Sequence, residues 1–161
     1  MRFRSIADLP GSRLVWADIT GSALFVVSAT TAAVVFDGLA KVQGVVVALV
    51  LFAIGVVTFI WGYWSAVQRS RTHDMSVVEL YFLLGPAVPR RVKLILNGCL
   101  VLQTVVSLAT ALARGSTPDN AGVSNPGSTL AFGVLVPMLG LGLNGLWAAS
   151  HGGFGRRRAA E

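Results

Sequence analysis

Residues 44–67, GVVVALVLFAIGVVTFIWGYWSAV, run for 24 positions without a Lys, Arg, Asp or Glu. A helix needs about 20 apolar residues to cross the roughly 30 Å hydrocarbon core of a bilayer. Three further uncharged runs, 19–36, 94–113 and 130–150, are close to that length or above it. The reading is all-α: an integral membrane four-helix bundle with a short interfacial helix on the cytoplasmic side. The spans lie at about 19–36, 44–67, 94–113 and 130–150. Residues 1–18 form an N-terminal segment, 19–150 the membrane domain and 151–161 a basic tail.

Composition points the same way. The chain has 161 residues, of which 54% are hydrophobic and 12% charged. The loops are too short and polar to build a second core, so one membrane domain is expected. A single cysteine, Cys99, excludes an internal disulfide, a cysteine-rich zinc site and a thiolate-held iron–sulfur cluster. No cofactor is expected.

Charge sets the orientation. Eleven of the thirteen basic residues fall before the first run, between the second and third, or after the fourth. They are Arg2, Arg4 and Arg13; Arg69, Arg71, Arg90, Arg91 and Lys93; and Arg156, Arg157 and Arg158. The two opposite loops carry only Lys41 and Arg114. Short loops rich in Lys and Arg stay cytoplasmic, so both termini are expected there. The net charge of +6 then reads as a topology signal, not as a nucleic-acid surface. Arg90, Arg91, Lys93, Arg156, Arg157 and Arg158 are the expected contacts for lipid headgroups. The basic start and first run also fit a cleaved signal peptide. That run is long for such a segment and close to the second, so an uncleaved hairpin is preferred.

Gly140-Leu-Gly142-Leu-Asn-Gly145 has the spacing of a dinucleotide fingerprint. That motif needs a preceding strand and a helix opening onto solvent, whereas this one lies within an apolar helix. The expected role is close helix packing through small residues. Pro137 removes a donor just before it, and a kink is expected that leaves the Gly133 carbonyl without its usual partner. Gly140 and Gly142 lie ~200° apart on a helix. Gly142 and Gly145 are therefore expected to make the closest contact, against the third span near Asn97 and Gly98, with Gly140 toward lipid.

Amides at depth need partners. Asn97 and Asn144 both lie toward the cytoplasmic half and are placed to meet. They serve as internal glue or as a polar site for a partner. No uncharged run holds a carboxylate or a base, which argues against a proton- or ion-coupled carrier.

Between the second and third runs, residues 75–84, MSVVELYFLL, are too short to span. Ser76 and Glu79 have capping-box spacing, and Gly85-Pro86 ends the pattern. A short apolar helix lying in the interface is expected. It packs on its own bundle or, through Val77, Val78, Leu80, Tyr81, Leu83 and Leu84, docks a partner. His73 and His151 are isolated and make a weak metal site. No Ser–His–Asp, paired-carboxylate or phosphate-loop pattern occurs, so no catalysis is expected.

Arg69-Ser-Arg71, ELYFLLGPAVPRRVK (79–93), LAFGVLVPMLGLGLNGLW (130–147) and the HGGFGR tail beginning at His151 resemble a family of small four-span membrane proteins of mycobacteria and related actinobacteria. The resemblance covers most of residues 40–158. It implies an inner-membrane location and brings no assigned chemistry. One protein of this general kind is an accessory subunit of the Mce lipid importers, an analogy of size, span count and lineage. The expectation is a non-catalytic accessory subunit of a larger membrane assembly, with a lipid-transport permease as the named candidate partner. The alternative is a small oligomeric carrier or channel.

Overall fold

The computed structural model describes residues 5–35, 37–70, 76–84, 86, 88–113, 116–118, 124–126 and 129–154. The chain is an all-α bundle built from α1 (Ser12–Val35), α2 (Gly38–Ser70), α3 (Val77–Phe82), α4 (Arg90–Ala113) and α5 (Pro137–His151). Among the described residues, four helical segments are long and apolar enough to cross a membrane: α1, α2, α4, and α5 joined to the 3-10 segment before it. At 1.5 Å per residue, the 33 residues of α2 reach about 50 Å, well beyond one hydrocarbon core. Its outer side chains, among them Val46, Val50, Val57, Trp61 and Trp64, are exposed. An apolar exterior of that extent is the surface that lipid covers. The protein is therefore a multi-pass membrane protein.

The first span begins at Ser12, not at residue 19. Ser5 and Asp8 form a reciprocal capping box around the 3-10 turn Ile6–Asp8. Gly11, at φ +66°, then turns the chain into α1, a conformation that costs glycine nothing. The first helix thus includes Arg13, Trp16 and Asp18, and the expected cytoplasmic segment shrinks accordingly. Its buried residues Val15, Asp18, Ser22, Phe25, Ala29 and Ala32 recur every three or four positions. That is the seam of a packed helix, and Asp18 lies on it.

The fourth span is not a kinked α-helix. Thr129–Leu135 is a 3-10 helix and α5 starts at Pro137, its first residue. Proline suits that position because its missing N–H would be unpaired there anyway. The Gly133 carbonyl is not stranded, because Val136 N–H donates to it at 3.0 Å. The tighter winding moves the acceptor one residue along, so the missing proline donor costs nothing.

The loop after α4 contains a short antiparallel pairing of β1 (Ser116–Pro118) with β2 (Ser124–Pro126), Ser116 opposite Pro126. Three residues a side pair through backbone groups alone and need no apolar core.

α5 is the most buried span because it sits between α2 and α4. On the α2 side the backbones touch. A Cβ on Gly55 would lie 2.5 Å from Leu139 N, and one on Gly62 2.8 Å from Leu146 N. These two glycines, seven residues apart, carry a backbone-to-backbone contact between α2 and α5, with Gly142 facing them from α5. Trp147, Phe25, Leu96 and Gln103 fill its interior.

Candidate functional site: a buried polar layer and a pinned short helix

Two polar arrangements sit inside the apolar bundle. The first joins α1, α4 and α5. Gln103, fully buried on α4, accepts a hydrogen bond from Gly140 N–H at 3.2 Å through its Oε1. The acceptor is a side chain from a neighbouring helix, and it reaches the α5 backbone because residue 140 is a glycine. That bond fixes the amide orientation. Nε2 must then point the other way, and it donates to Asp18 Oδ1 at 3.1 Å and Ser22 Oγ at 2.8 Å. Asp18 and Ser22 are buried as well. Asp18 Oδ2 has no hydrogen-bond partner among the described residues. The Cys99 thiol lies beside Asp18 and Ser22.

A carboxylate therefore does lie within a span, contrary to the expectation from the uncharged runs. The sequence criterion failed because it ended the first span where charge began. The helix itself extends past Asp18 to Ser12. Gln103 is 13 residues into α4, about 20 Å along the axis from its start, and Asp18 is six residues into α1.

The second arrangement secures α3. A six-residue helix leaves its last carbonyls without internal partners. Asn144 Nδ2 donates to Tyr81 O at 3.0 Å and Asn97 Nδ2 to Phe82 O at 2.9 Å. Asn144 Nδ2 also donates to Asn97 Oδ1 at 3.1 Å, so the two asparagines meet as their positions suggested. Together they cap α3 from α4 and α5. Leu83 follows in the left-handed region at φ 53°, a cost that its fully buried side chain offsets. The Tyr81 ring stacks on Phe59 with centroids 4.2 Å apart, and its hydroxyl donates to Phe59 O at 3.2 Å. Burial, with Tyr63 nearby as the lesser cause, pushes the Tyr81 phenol up to about 12. It stays a neutral donor at any physiological pH.

These contacts revise the expected packing. Gly142 faces α2, at Gly55, Thr58 and Phe59, not the third span. Gly145 makes room for the Tyr81 ring. Gly140 does not face lipid: a Cβ there would lie 2.9 Å from Gln103 Oε1 and 3.1 Å from Leu100 Cδ1. The ~200° between Gly140 and Gly142 points them at opposite neighbours, α4 and α2. Gly98 faces open space, with no atom within 4 Å of where its Cβ would be. Pro137 starts α5 and makes no kink. Ser76 makes no side-chain cap, so the expected capping box with Glu79 does not form.

Of the six docking candidates, Leu80, Tyr81 and Leu83 are buried in their own bundle and cannot receive a partner. Val77, Val78 and Leu84 are exposed, as is Phe82. Arg90 and Arg91 are exposed and Lys93 half-buried at the start of α4. Arg156, Arg157 and Arg158 lie outside the described residues, as does His73. Arg69 has a structural duty that its place in a charge count did not suggest. It donates to Ala149 O, and to Gly152 O at 3.4 Å, capping the C-terminus of α5, where a cation is favoured. Trp147 Nε1 donates to Pro10 O at 2.8 Å and ties the chain start to the same end.

Among the described residues no group of three His, Cys, Asp or Glu is placed to hold a metal. Asp18 is surrounded by an amide, a hydroxyl and a thiol, an arrangement that holds helices together. No known protein family, curated protein or solved structure matches the chain.

Proposed function

We propose that the chain is a non-catalytic accessory subunit of a larger inner-membrane assembly, and that this assembly moves lipid in the manner of the Mce importers. The observation that carries the subunit reading is the division of α3. One side, Leu80 and Tyr81 with Leu83 just beyond, is buried, and two asparagines fix its end. The other presents Val77 and Val78, both exposed. A short helix held this firmly is a preorganised apolar surface, the kind that partner subunits bury. The interior supports the same reading, because backbone contact at Gly55 and Gly62 leaves no passage between α2 and α5. The lipid-transport part rests on the resemblance of residues 79–93 and 130–147 alone.

The alternative, a small oligomeric carrier or channel, has one observation in its favour. Asp18 is a buried ionisable group within a span, and such groups mark transport paths in other membrane proteins. Against it, Gln103 ties Asp18 Oδ1 to Ser22 and to the Gly140 N–H across three helices, a bracing role. Ser107 and Thr110, further along α4, bond to their own helix carbonyls, so the polar groups form no continuous file.

Orientation belongs to the same proposal. The basic end of the bundle, with Arg13, Arg69, Arg90, Arg91 and Lys93, is placed in the cytoplasm. In a Cys99→Ser background, Ser116→Cys should react with an impermeant maleimide added to intact cells, and Ser70→Cys only after lysis. The opposite labelling pattern would reverse the orientation. For the subunit reading, gentle detergent extraction from native membranes should yield the chain in stoichiometric company with larger membrane proteins. Recovery as a lone monomer or pure homo-oligomer counts against it.

A further inference from the structure

We propose that the outer face of α4, beside the end of α3, is a binding site for one anionic phospholipid. Its acyl chain lies in a groove and its phosphate meets Arg90. The groove has a volume of about 490 Å³ and is lined by Phe82 and Leu84 on one side and Asn97, Leu100, Val101, Thr104 and Val105 on the other. The α4 residues follow one helix face from Asn97 to Val105, about 12 Å along the axis, which suits an extended hydrocarbon chain. The one strongly polar lining group is already occupied: Asn97 donates to Phe82 O and accepts from Asn144 Nδ2. The groove therefore asks an occupant for apolar surface and not for hydrogen bonds.

Charge at one end chooses the headgroup. Arg90 lies seven residues before Asn97 and eleven before Val101, within about 20° of each around the helix at 3.6 residues per turn. It stands directly above the groove, about 10 Å from the level of Asn97, and is exposed. Arg91 and Lys93 add positive charge in the same turn. A phosphodiester bearing one negative charge and two acyl chains matches this arrangement. A neutral zwitterionic lipid matches the groove alone. A partner's helix is a third occupant of the same face, but it would be apolar where Arg90 asks for an anion. The site stands independently of which assembly the chain joins.

The test uses the full chain, stripped of lipid in detergent and titrated with palmitoyl-oleoyl phosphatidylglycerol or palmitoyl-oleoyl phosphatidylcholine. Bound lipid is counted by native mass spectrometry. The wild type should hold the first phosphatidylglycerol at least fivefold more tightly, the contribution of about one basic side chain at an anionic surface. Arg90→Gln should remove that preference and leave phosphatidylcholine unchanged. Val101→Trp and Thr104→Trp, which fill the groove from its exposed side, should weaken both lipids. Equal affinity for the two lipids in the wild type overturns the site. So does a loss with Arg13→Gln, exposed at the same end, as large as that with Arg90→Gln, because diffuse surface charge would then suffice. Trp variants that bind like wild type also overturn it. A photo-crosslinking benzoylphenylalanine at position 101 in native membranes should give a lipid-sized adduct, and a protein adduct there contradicts the proposal.

Discussion

Gly55→Ala should unfold or dissociate the bundle far more readily than a methyl added at Gly98. The added Cβ would sit 2.5 Å from Leu139 N and 2.6 Å from Met138 C. Both are backbone atoms, which cannot rotate out of the way as a side chain does. The only relief is to move α2 from α5, and that opens the contact at Gly62 as well. Overpacking ordinarily costs 1–3 kcal/mol, and a clash with backbone belongs at the top, so about 3 kcal/mol is expected for alanine and more for leucine. Gly98→Ala is the control. Nothing lies near that position, and alanine gains up to about 1 kcal/mol of helix propensity over glycine. Apparent melting temperatures of the purified variants in detergent decide the matter. If Gly98→Ala fell as far as Gly55→Ala, the assigned helix neighbours would be wrong.

The second large effect is expected at Gln103. Gln103→Leu removes three links at once: to Gly140 N–H, to Asp18 and to Ser22. Interhelical hydrogen bonds in membranes are worth roughly 0.6–1.7 kcal/mol each, so the loss should be about 2–5 kcal/mol. Asp18→Asn retains an oxygen acceptor for the amide and should cost less than about 1 kcal/mol. The double variant Asp18→Leu with Gln103→Leu should be less damaging than the sum of its parts. Removing both members of a buried pair leaves fewer orphaned groups than removing one. Strict additivity in the same thermal assay would mean that the two side chains do not interact.

How far these features were legible in the sequence depends on the physics behind each. Uncharged runs of membrane length announce spanning helices, because backbone groups in hydrocarbon must pair within the segment. The four spans were therefore readable from composition alone. Helix starts were less so. The run criterion stops at Asp18, while the helix continues to Ser12 because Gly11 supplies the turn. The small-residue motif at Gly140–Gly145 was correctly read as packing, but its neighbours were not. An isolated helix cannot say which of its faces meets lipid, and α5 meets protein on both sides. The other half of that contact was present in the sequence as the seven-residue repeat of Gly55 and Gly62 within the apolar run 44–67. The pairing of Asn97 with Asn144 followed from the cost of stranding amides at similar depth. The partnership of Gln103 with Asp18 did not, since it links residues 85 positions apart across a helix boundary drawn too late. One available signal was that Asp18 falls in step with Val15, Ser22, Phe25 and Ala29.

The most direct test of the subunit proposal isolates the exposed side of α3. Val78→Asp places a charge on a half-exposed position without touching Leu80, Tyr81 or the asparagine caps, so the bundle itself should melt as the wild type does. In gently extracted native membranes, intact-mass analysis of the wild type should find the chain bound at fixed stoichiometry to larger membrane proteins. The Val78→Asp chain should be recovered without them. Retention of the same partners at the same stoichiometry by Val78→Asp would contradict the docking role assigned to α3. Absence of any partner from the wild type would contradict the subunit proposal as a whole.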